Sequence, residues 1–397
     1  MKLVVKFGGT SLANRRRIDR ATKTVAGLVE AGHEVVVVAS AMGNTTDELL
    51  NGLPPDSSNL DRAEVVSMGE RTSVRMLKSH LTAAGVDATF VEPGDDDWPI
   101  FVRPDDGDGI DIERTKRGVE RLPERVDGCV PVVTGFLAED DEGNVRTLNR
   151  GGSDTTATLL GNVMNADKVV LVTDVRGIRT GDPKAVDGTK RIDEISVGEV
   201  RDLATCSAEV VAPAALEYKT ETTELSVVHY EHDDVLADGT DIYGEFETVL
   251  NVRDVPFAGI TVSRTVSRSG SRVDGPLVET LSTAGIAVKN AFADMDSVTC
   301  YVRRDDLHDA VESVHRLVTE HDGLSSVSTR ETVAAVHVVD GERGAAFDTV
   351  RRVATSLLDS SIEIFDAEIG TTSMTVYLDW DDRHHVEDLL QSARTRG

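Results

Sequence analysis

The sequence predicts an α/β protein: a three-layer domain on a mainly parallel sheet, then two ferredoxin-like βαββα units. Two observations carry this. Residues 1–230 alternate β-branched runs with helical patterns, and parallel strands need such helices as crossovers. From about residue 257 one element order occurs twice, the mark of a duplicated module.

The elements follow in order. Lys2–Phe7 reads as a strand, followed by Gly8-Gly9 and a helical stretch with Ile18, Val25, Leu28 and Val29 on one face. Glu34–Ser40 is a near-continuous Val run, suited to a strand covered on both faces. Glu64–Leu81 is helical and Ala88–Glu92 is a short strand. Cys129–Gly135 and Lys168–Thr173 are further buried strands, with a helix at Thr155–Asn165 between them. The first βαββα unit comprises Gly259–Ser263, Pro276–Ala284, Ile286–Asn290, Ser297–Val302 and Leu307–Glu320. The second comprises Thr332–Val338, Ala345–Leu358, Ile362–Phe365, Ser373–Leu378 and a helix from Arg383. The expected domains are therefore 1–250, 251–330 and 331–397, the first boundary following the acidic stretch Glu231–Asp241.

Composition narrows the function. The 397 residues hold 70 acidic and 42 basic side chains, a net charge of −28. A nucleic-acid binder needs a basic face, and the largest basic run is Arg15-Arg16-Arg17, so DNA and RNA are excluded as main partners. The acidic residues are spread over every segment. Such a surface repels itself unless salt screens it, which points to a high-salt, halophilic setting. Cys129, Cys206 and Cys300 are too far apart for a metal motif or a disulfide framework. Apolar runs such as Val35–Ala39 are far too short to span a membrane. The chain opens directly into a strand, so the expected location is cytoplasmic.

Three glycine turns carry the chemistry. In Lys6-Phe7-Gly8-Gly9-Thr10-Ser11 a strand ends in a cation, and two glycines then lead to hydroxyls and a helix. Backbone N–H groups in such a turn can approach an anion closely, although this is neither a Walker loop nor Gly-x-Gly-x-x-Gly. In Asn149-Arg150-Gly151-Gly152-Ser153-Asp154 glycines again open a helix, with Ser153 or Asp154 in capping position. Arg150 there could fork onto a carboxylate or phosphate. Thr173-Asp174-Val175-Arg176-Gly177-Ile178 closes a buried strand and leads to Asp182-Pro183-Lys184, where open α/β sheets bind ligands. Each turn alone also fits an ordinary tight connection. Ser40-Ala41-Met42-Gly43-Asn44-Thr45-Thr46-Asp47 and Ser67-Met68-Gly69-Glu70 complete the set.

In this order, followed by two βαββα units, the motifs resemble aspartate kinase (aspartokinase) of the amino acid kinase superfamily, whose C-terminal pair is of ACT type. The resemblance implies ATP-dependent phosphorylation of the β-carboxylate of L-aspartate to 4-phospho-L-aspartate. That product opens lysine, threonine, methionine and isoleucine synthesis. It implies that Lys6 and the amides of Gly8 and Gly9 hold the transferring phosphoryl oxygens, with Ser11 in the same nucleotide loop. Asp154 would orient Lys6. Arg150 would clamp the α-carboxylate of aspartate, with Ser153 beside it, and Glu70 would take its ammonium. Ser40 and Thr45 would line the substrate pocket. Thr173, Asp174, Arg179 and Lys184 would contact the nucleotide. Mg²⁺ would ride on nucleotide oxygens and water, with no dedicated protein cage. The ACT-type pair implies a homodimer or higher homo-oligomer and an amino-acid effector.

The chain also departs from the pattern. Relatives usually read Gly-Ala-Lys-Val-x-His-Pro where this sequence reads Ser207-Ala208-Glu209-Val210-Val211-Ala212-Pro213. A carboxylate about 4 Å from a triphosphate costs roughly 1–4 kcal/mol, softened by salt. Either Arg176 or Arg179 would then supply the missing cation, or nucleotide binding would be weakened. Arg179 and Lys184 stand where Tyr and Arg are common, and Asn44 where Lys is frequent. The stretches Val266–Arg272 and Asp340–Gly344 replace the usual loops of the two ACT-type units. Two rivals remain open at this level. One is a sister kinase acting on glutamate, acetylglutamate, carbamate or UMP. The other is a catalytically degenerate amino-acid sensor, which Glu209 favours and intact Lys6, Arg150 and Asp154 oppose.

Overall fold

The structure, a computed structural model, describes residues 1–103, 109–125, 128–182, 185–206, 210–232, 234–245, 249–252, 255–264, 274–294, 296–339, 355–357, 360, 362–369 and 373–394. The chain divides into two compact units, Met1–Phe246 and Glu247–Gly397.

The first unit is built on eight strands: β1 (Lys2–Phe7), β2 (Glu34–Ala39), β3 (Ala88–Val91), β4 (Val130–Thr134), β5 (Lys168–Thr173), β6 (Glu194–Ser196), β7 (Glu224–His229) and β8 (Thr240–Tyr243). Their order in the sheet is β6-β8-β7-β5-β1-β2-β4-β3. All neighbours are parallel except β7 and β8. The mainly parallel three-layer sheet expected from the sequence is what forms.

Alternation along each strand feeds two cores. Leu3, Val5 and Phe7 of β1 enter the layer that also holds Val25 and Leu28 of α1 (Arg15–Glu30) and Val74 and Leu77 of α3 (Asn59–Ala83). Val4 faces the opposite layer, with Ala157, Leu159 and Leu160 of α5 (Gly152–Val163). A second helix, α2 (Thr45–Asn51), joins β2 to α3, and α4 (Ile112–Arg125) precedes β4. Helices α6 (Val197–Cys206) and α7 (Pro213–Leu216) follow β6. Two helix starts are written in the sequence: the Asn14 side chain accepts from Arg17 N at 3.1 Å, and Ser58 accepts from Asp61 N at 3.1 Å. Short strands Leu137–Glu139 and Val145–Thr147 form a hairpin between β4 and α5.

The second unit holds a seven-stranded antiparallel sheet. Its strands are β9 (Val249–Val252), β10 (Phe257–Arg264), β11 (Asn290–Ala293), β12 (Ser297–Arg303), β13 (Leu324–Val339), β14 (Ile364–Ile369) and β15 (Ser373–Asp379). The main path is β11-β12-β10-β13-β15-β14, with β9 paired to β13. Helices α8 (Asp274–Thr283), α9 (Leu307–Glu320) and α10 (Arg383–Arg394) contribute to its two cores. The two expected ferredoxin-like modules share β13. Its first half pairs with β10, and its second half pairs with β15 and β9. The chain thus enters the unit on the second module before it builds the first.

Two local readings shift. Ile286–Asn290 was expected as a strand, but only Asn290–Ala293 pairs in the sheet, because Ile286 is buried beneath α8 instead. The expected helix Ala345–Leu358 lies outside the described residues except for 355–357. Among the described residues no helix is long and apolar enough to cross a membrane.

Candidate active site

The C-terminal ends of β1, β2, β4, β5 and β7 lie side by side in the sheet, and polar turns found in the sequence leave from three of them, β1, β2 and β5. Lys6, next to last in β1, points to the α5 side with Val4. Its Nζ lies 2.5 Å from Asp154 Oδ1, and both residues are 9% exposed. Asp154 sits in the first turn of α5, where the helix dipole favours a carboxylate. Two residues far apart in sequence thus form one nearly dry ion pair at the sheet edge.

The glycines after Lys6 serve close packing. Gly8 N–H donates to Val172 O at 3.1 Å, so this amide is turned into the sheet. A Cβ on Gly9 would come within 2.7 Å of Ala41 O and 2.9 Å of Gly43 O. Gly9 O in turn accepts from Gly43 N at 2.9 Å. The loops after β1 and β2 therefore lie backbone to backbone, which only glycine permits here. Ser11 is buried and its hydroxyl donates to Val172 O at 3.2 Å, which ties the turn to β5.

The loop after β2 carries Ser40 and Thr45. Ser40 is half-buried, with its N–H on Phe7 O. Thr45 Oγ1 donates to Met42 O at 2.6 Å and closes the turn into α2. Glu70 of α3 lies against this loop: Ala41 N donates to its Oε1 at 3.2 Å. Gly69 explains the approach, since a Cβ there would meet Ala41 Cβ at 2.8 Å. Glu70 is only 2% exposed, and its Oε2 has no hydrogen-bond partner. Burial pushes its pKa up to about 7, against the lowering effect of its own N–H and that of Ala41.

The turn into α5 is delivered by the hairpin after β4. Buried Asp140 organises it, accepting from Arg146 Nε at 2.8 Å and from Glu142 N and Asn144 N at 2.9 Å each. Arg150 follows on the surface. Gly151, at φ +80°, is pressed on Ala212, just before α7; a Cβ there would lie 2.2 Å from Ala212 Cβ. Ser153 is buried against Gly135, where a Cβ would fall 2.5 Å from Ser153 Oγ.

Thr173, the last residue of β5, begins the loop after that strand. Its carbonyl accepts from Tyr230 N at 2.8 Å, and its hydroxyl donates to Asp174 Oδ1 at 3.3 Å. Asp174 is exposed. Arg179 is half-buried and is engaged locally: Nε donates to Thr189 Oγ1 at 2.8 Å and Nη2 to Thr189 O. Arg176, the other candidate cation, lies 3.4 Å from Glu231 Oε2. Lys184 and Glu209 lie outside the described residues. Among the described residues no cluster of three or more His, Cys, Asp or Glu could hold a metal ion.

Sequence reasoning passed over two residues here, Ser73 and Thr134. Both are buried, and neither hydroxyl has a partner. A Ser inside a helix and a Thr ending a strand carry no distinguishing signal without the fold.

Comparison with known proteins gives a consistent answer. The model of the amino acid kinase family matches residues 1–229. The aspartokinase of Geobacillus stearothermophilus is 30% identical over 396 residues, covering 95% of this chain and 93% of that one. The fold is shared with the aspartate kinase from Synechocystis, at TM-score 0.79 and 24% identity, covering 98% of this chain and 69% of that chain. It is shared also with E. coli aspartokinase III in complex with aspartate and ADP, at TM-score 0.56 and 23% identity over 99% of both chains.

Proposed function

The chain belongs to the aspartokinase family of the amino acid kinase superfamily, and we propose that the polar edge of its first sheet transfers the γ-phosphoryl group of ATP to the β-carboxylate of L-aspartate. A carboxylate oxygen forms the new O–P bond as the bond to ADP breaks, giving 4-phospho-L-aspartate. Such a transfer asks the protein mainly for positioning and charge neutralisation. One observation carries the assignment: the buried Lys6–Asp154 pair at the end of β1, beside a turn packed too tightly for side chains.

In this reading the Lys6 ammonium balances charge on the moving phosphoryl group, and Asp154 fixes its direction. Gly9 supplies the free amide of the turn, since Gly8 N–H is engaged by Val172. Glu70 receives the substrate ammonium and Arg150 its α-carboxylate, so the β-carboxylate is left facing Lys6. Ser40, Thr45 and Ser153 shape the pocket between them. Thr173 and Asp174 edge the nucleotide site, with Arg179 and Lys184 further along the same loop. Mg²⁺, when bound with ATP, neutralises phosphate charge from the nucleotide's own oxygens. The second unit, a shared sheet of two ACT-type modules, supports a homo-oligomer that responds to an amino-acid effector.

The test is trapping of the acyl phosphate with hydroxylamine in molar KCl. Lys6→Met alone leaves Asp154 buried without its partner, a cost of about 3–5 kcal/mol. The pair Lys6→Met with Asp154→Asn removes both charges and keeps the fold. Both variants are expected to lose about 10²-fold or more in kcat. Near-normal turnover in the folded double variant would refute the assignment.

A further inference from the structure

Three buried polar atoms beneath the loop after β2 lack a hydrogen-bond partner: Glu70 Oε2, Ser73 Oγ and Thr134 Oγ1. The three residues are 2%, 1% and 0% exposed. The topology brings them together. Ser73 lies one helical turn after Glu70 on the face of α3 that packs on the sheet. Thr134 ends β4 and points to the same layer as Val130 and Val132, which α3 covers. Its register partner is Ala39, two residues before Ala41, whose amide holds Glu70 Oε1. Ser73 lies one turn further along α3 than Glu70 and Thr134 is level with Ala39, so the two hydroxyls would form a floor on the sheet side of Glu70.

A native protein rarely buries three such atoms idle, because each costs about 1–3 kcal/mol without a partner. Two hydroxyls can donate; an ionised carboxylate oxygen can only accept. We propose that Ser73 and Thr134 are positioning residues for Glu70, linked to its Oε2 through an ordered water and holding it charged beneath the substrate ammonium. This rests on the reading of Glu70 as the ammonium site.

Among the described residues no charged side chain competes for the role. On α3, Arg71 and Arg75 are bound to Glu92, His80 is paired with Asp19 of α1, and Glu64 lies a turn and a half earlier. On α2, Asp47 and Glu48 are exposed. In the hairpin strand packed on α3, Arg146 is held by Asp140. Strands β2, β3 and β4 bring no charged side chain to this level. The forces acting on Glu70 are burial and two backbone N–H groups.

The experiment compares Ser73→Ala, Thr134→Val and their double variant with Ser73→Thr and Thr134→Ser, all in the full chain. Each substitution deletes one hydroxyl at nearly constant side-chain size, a cost of about 1 kcal/mol, so these variants are expected to stay folded. KM for aspartate should rise about tenfold in the double variant, with kcat and KM for ATP within twofold. The acidic limb of kcat/KM should move up by about one pH unit. The two conservative variants should restore both values. An unchanged limb and KM would overturn the proposal, as would an equal loss in kcat for all variants. Glu70→Gln separates the layers. If it leaves KM for aspartate alone, the ammonium reading fails; if it raises KM while the double variant does not, only the floor fails.

Discussion

At the residue scale, Glu70 makes the sharpest claim, because its folded proton affinity departs from that of an open chain. Its pKa is raised to about 7 by burial. A raised group lends stability below its ordinary value and loses it as pH climbs toward the folded value. Ionised Glu70 therefore burdens the ligand-free fold at pH 8 by about 3 kcal/mol. Glu70→Gln should be more stable than the parent at pH 8, and the gap in Tm should shrink as pH falls to about 4.5. Aspartate reverses the sign, since its ammonium rewards the ionised form. Affinity in the parent should fall as pH drops below 7, while the Gln variant should bind weakly at every pH. Calorimetric titration of aspartate from pH 6 to 8 reads this, and a flat profile in the parent would count against it. Lys6, Asp154 and Glu70 were legible in the sequence through their place in a set of motifs that together resemble aspartate kinase, since each motif alone also fits an ordinary connection. The engagement of Gly8 N–H and of Ser11 with Val172 was not, because it depends on which strand lies next to β1.

At the scale of elements, the second unit shows what local pattern misses. Its helix at Leu307–Glu320 has the bounds the sequence suggests, because a 3.6-residue apolar stripe is a local property. Strand β13 is longer than expected, because its length is set by partners on both modules. The sheet curls until distant strands meet. Tyr301 of β12 donates to Asp366 of β14, although three strands separate them in the path. In a flat sheet they would stand roughly 19 Å apart. Tyr301 also stacks on Tyr377 with ring centres 3.9 Å apart, and Asn290 Nδ2 reaches Glu368 Oε2 at 2.9 Å between the two edge strands. Burial, then Asp366, drives the Tyr301 phenol well above its usual range, so it remains a donor at every working pH. Tyr301→Phe and Asp366→Asn should each lower stability by about 1–2 kcal/mol. The double variant should cost little more than either single one, a coupling of about 1 kcal/mol in urea melts of the full chain. Strict additivity would mean that this contact does not close the seam.

At the scale of the whole molecule, charge decides more than any contact. The chain carries 28 more acidic than basic residues. Most ion pairs among the described residues have an exposed partner, and an exposed pair is worth at most about 1 kcal/mol. Salt weakens those pairs and also screens the repulsion among unpaired carboxylates, so the two effects oppose each other. With 70 acids against 42 bases, repulsion should win. Raising KCl from about 0.1 to 2 M shortens the screening length from roughly 10 Å to under 3 Å. The ligand-free chain should then gain about 2–4 °C in Tm, the shift expected for about 2–3 kcal/mol in a chain of this size. Equal NaCl should act alike, because screening does not depend on which monovalent cation supplies it. The charge excess itself is legible in the sequence, since a net charge needs no fold to be counted. A fall in Tm with KCl would show that ion pairs dominate, and the high-salt reading of the composition would have to be abandoned.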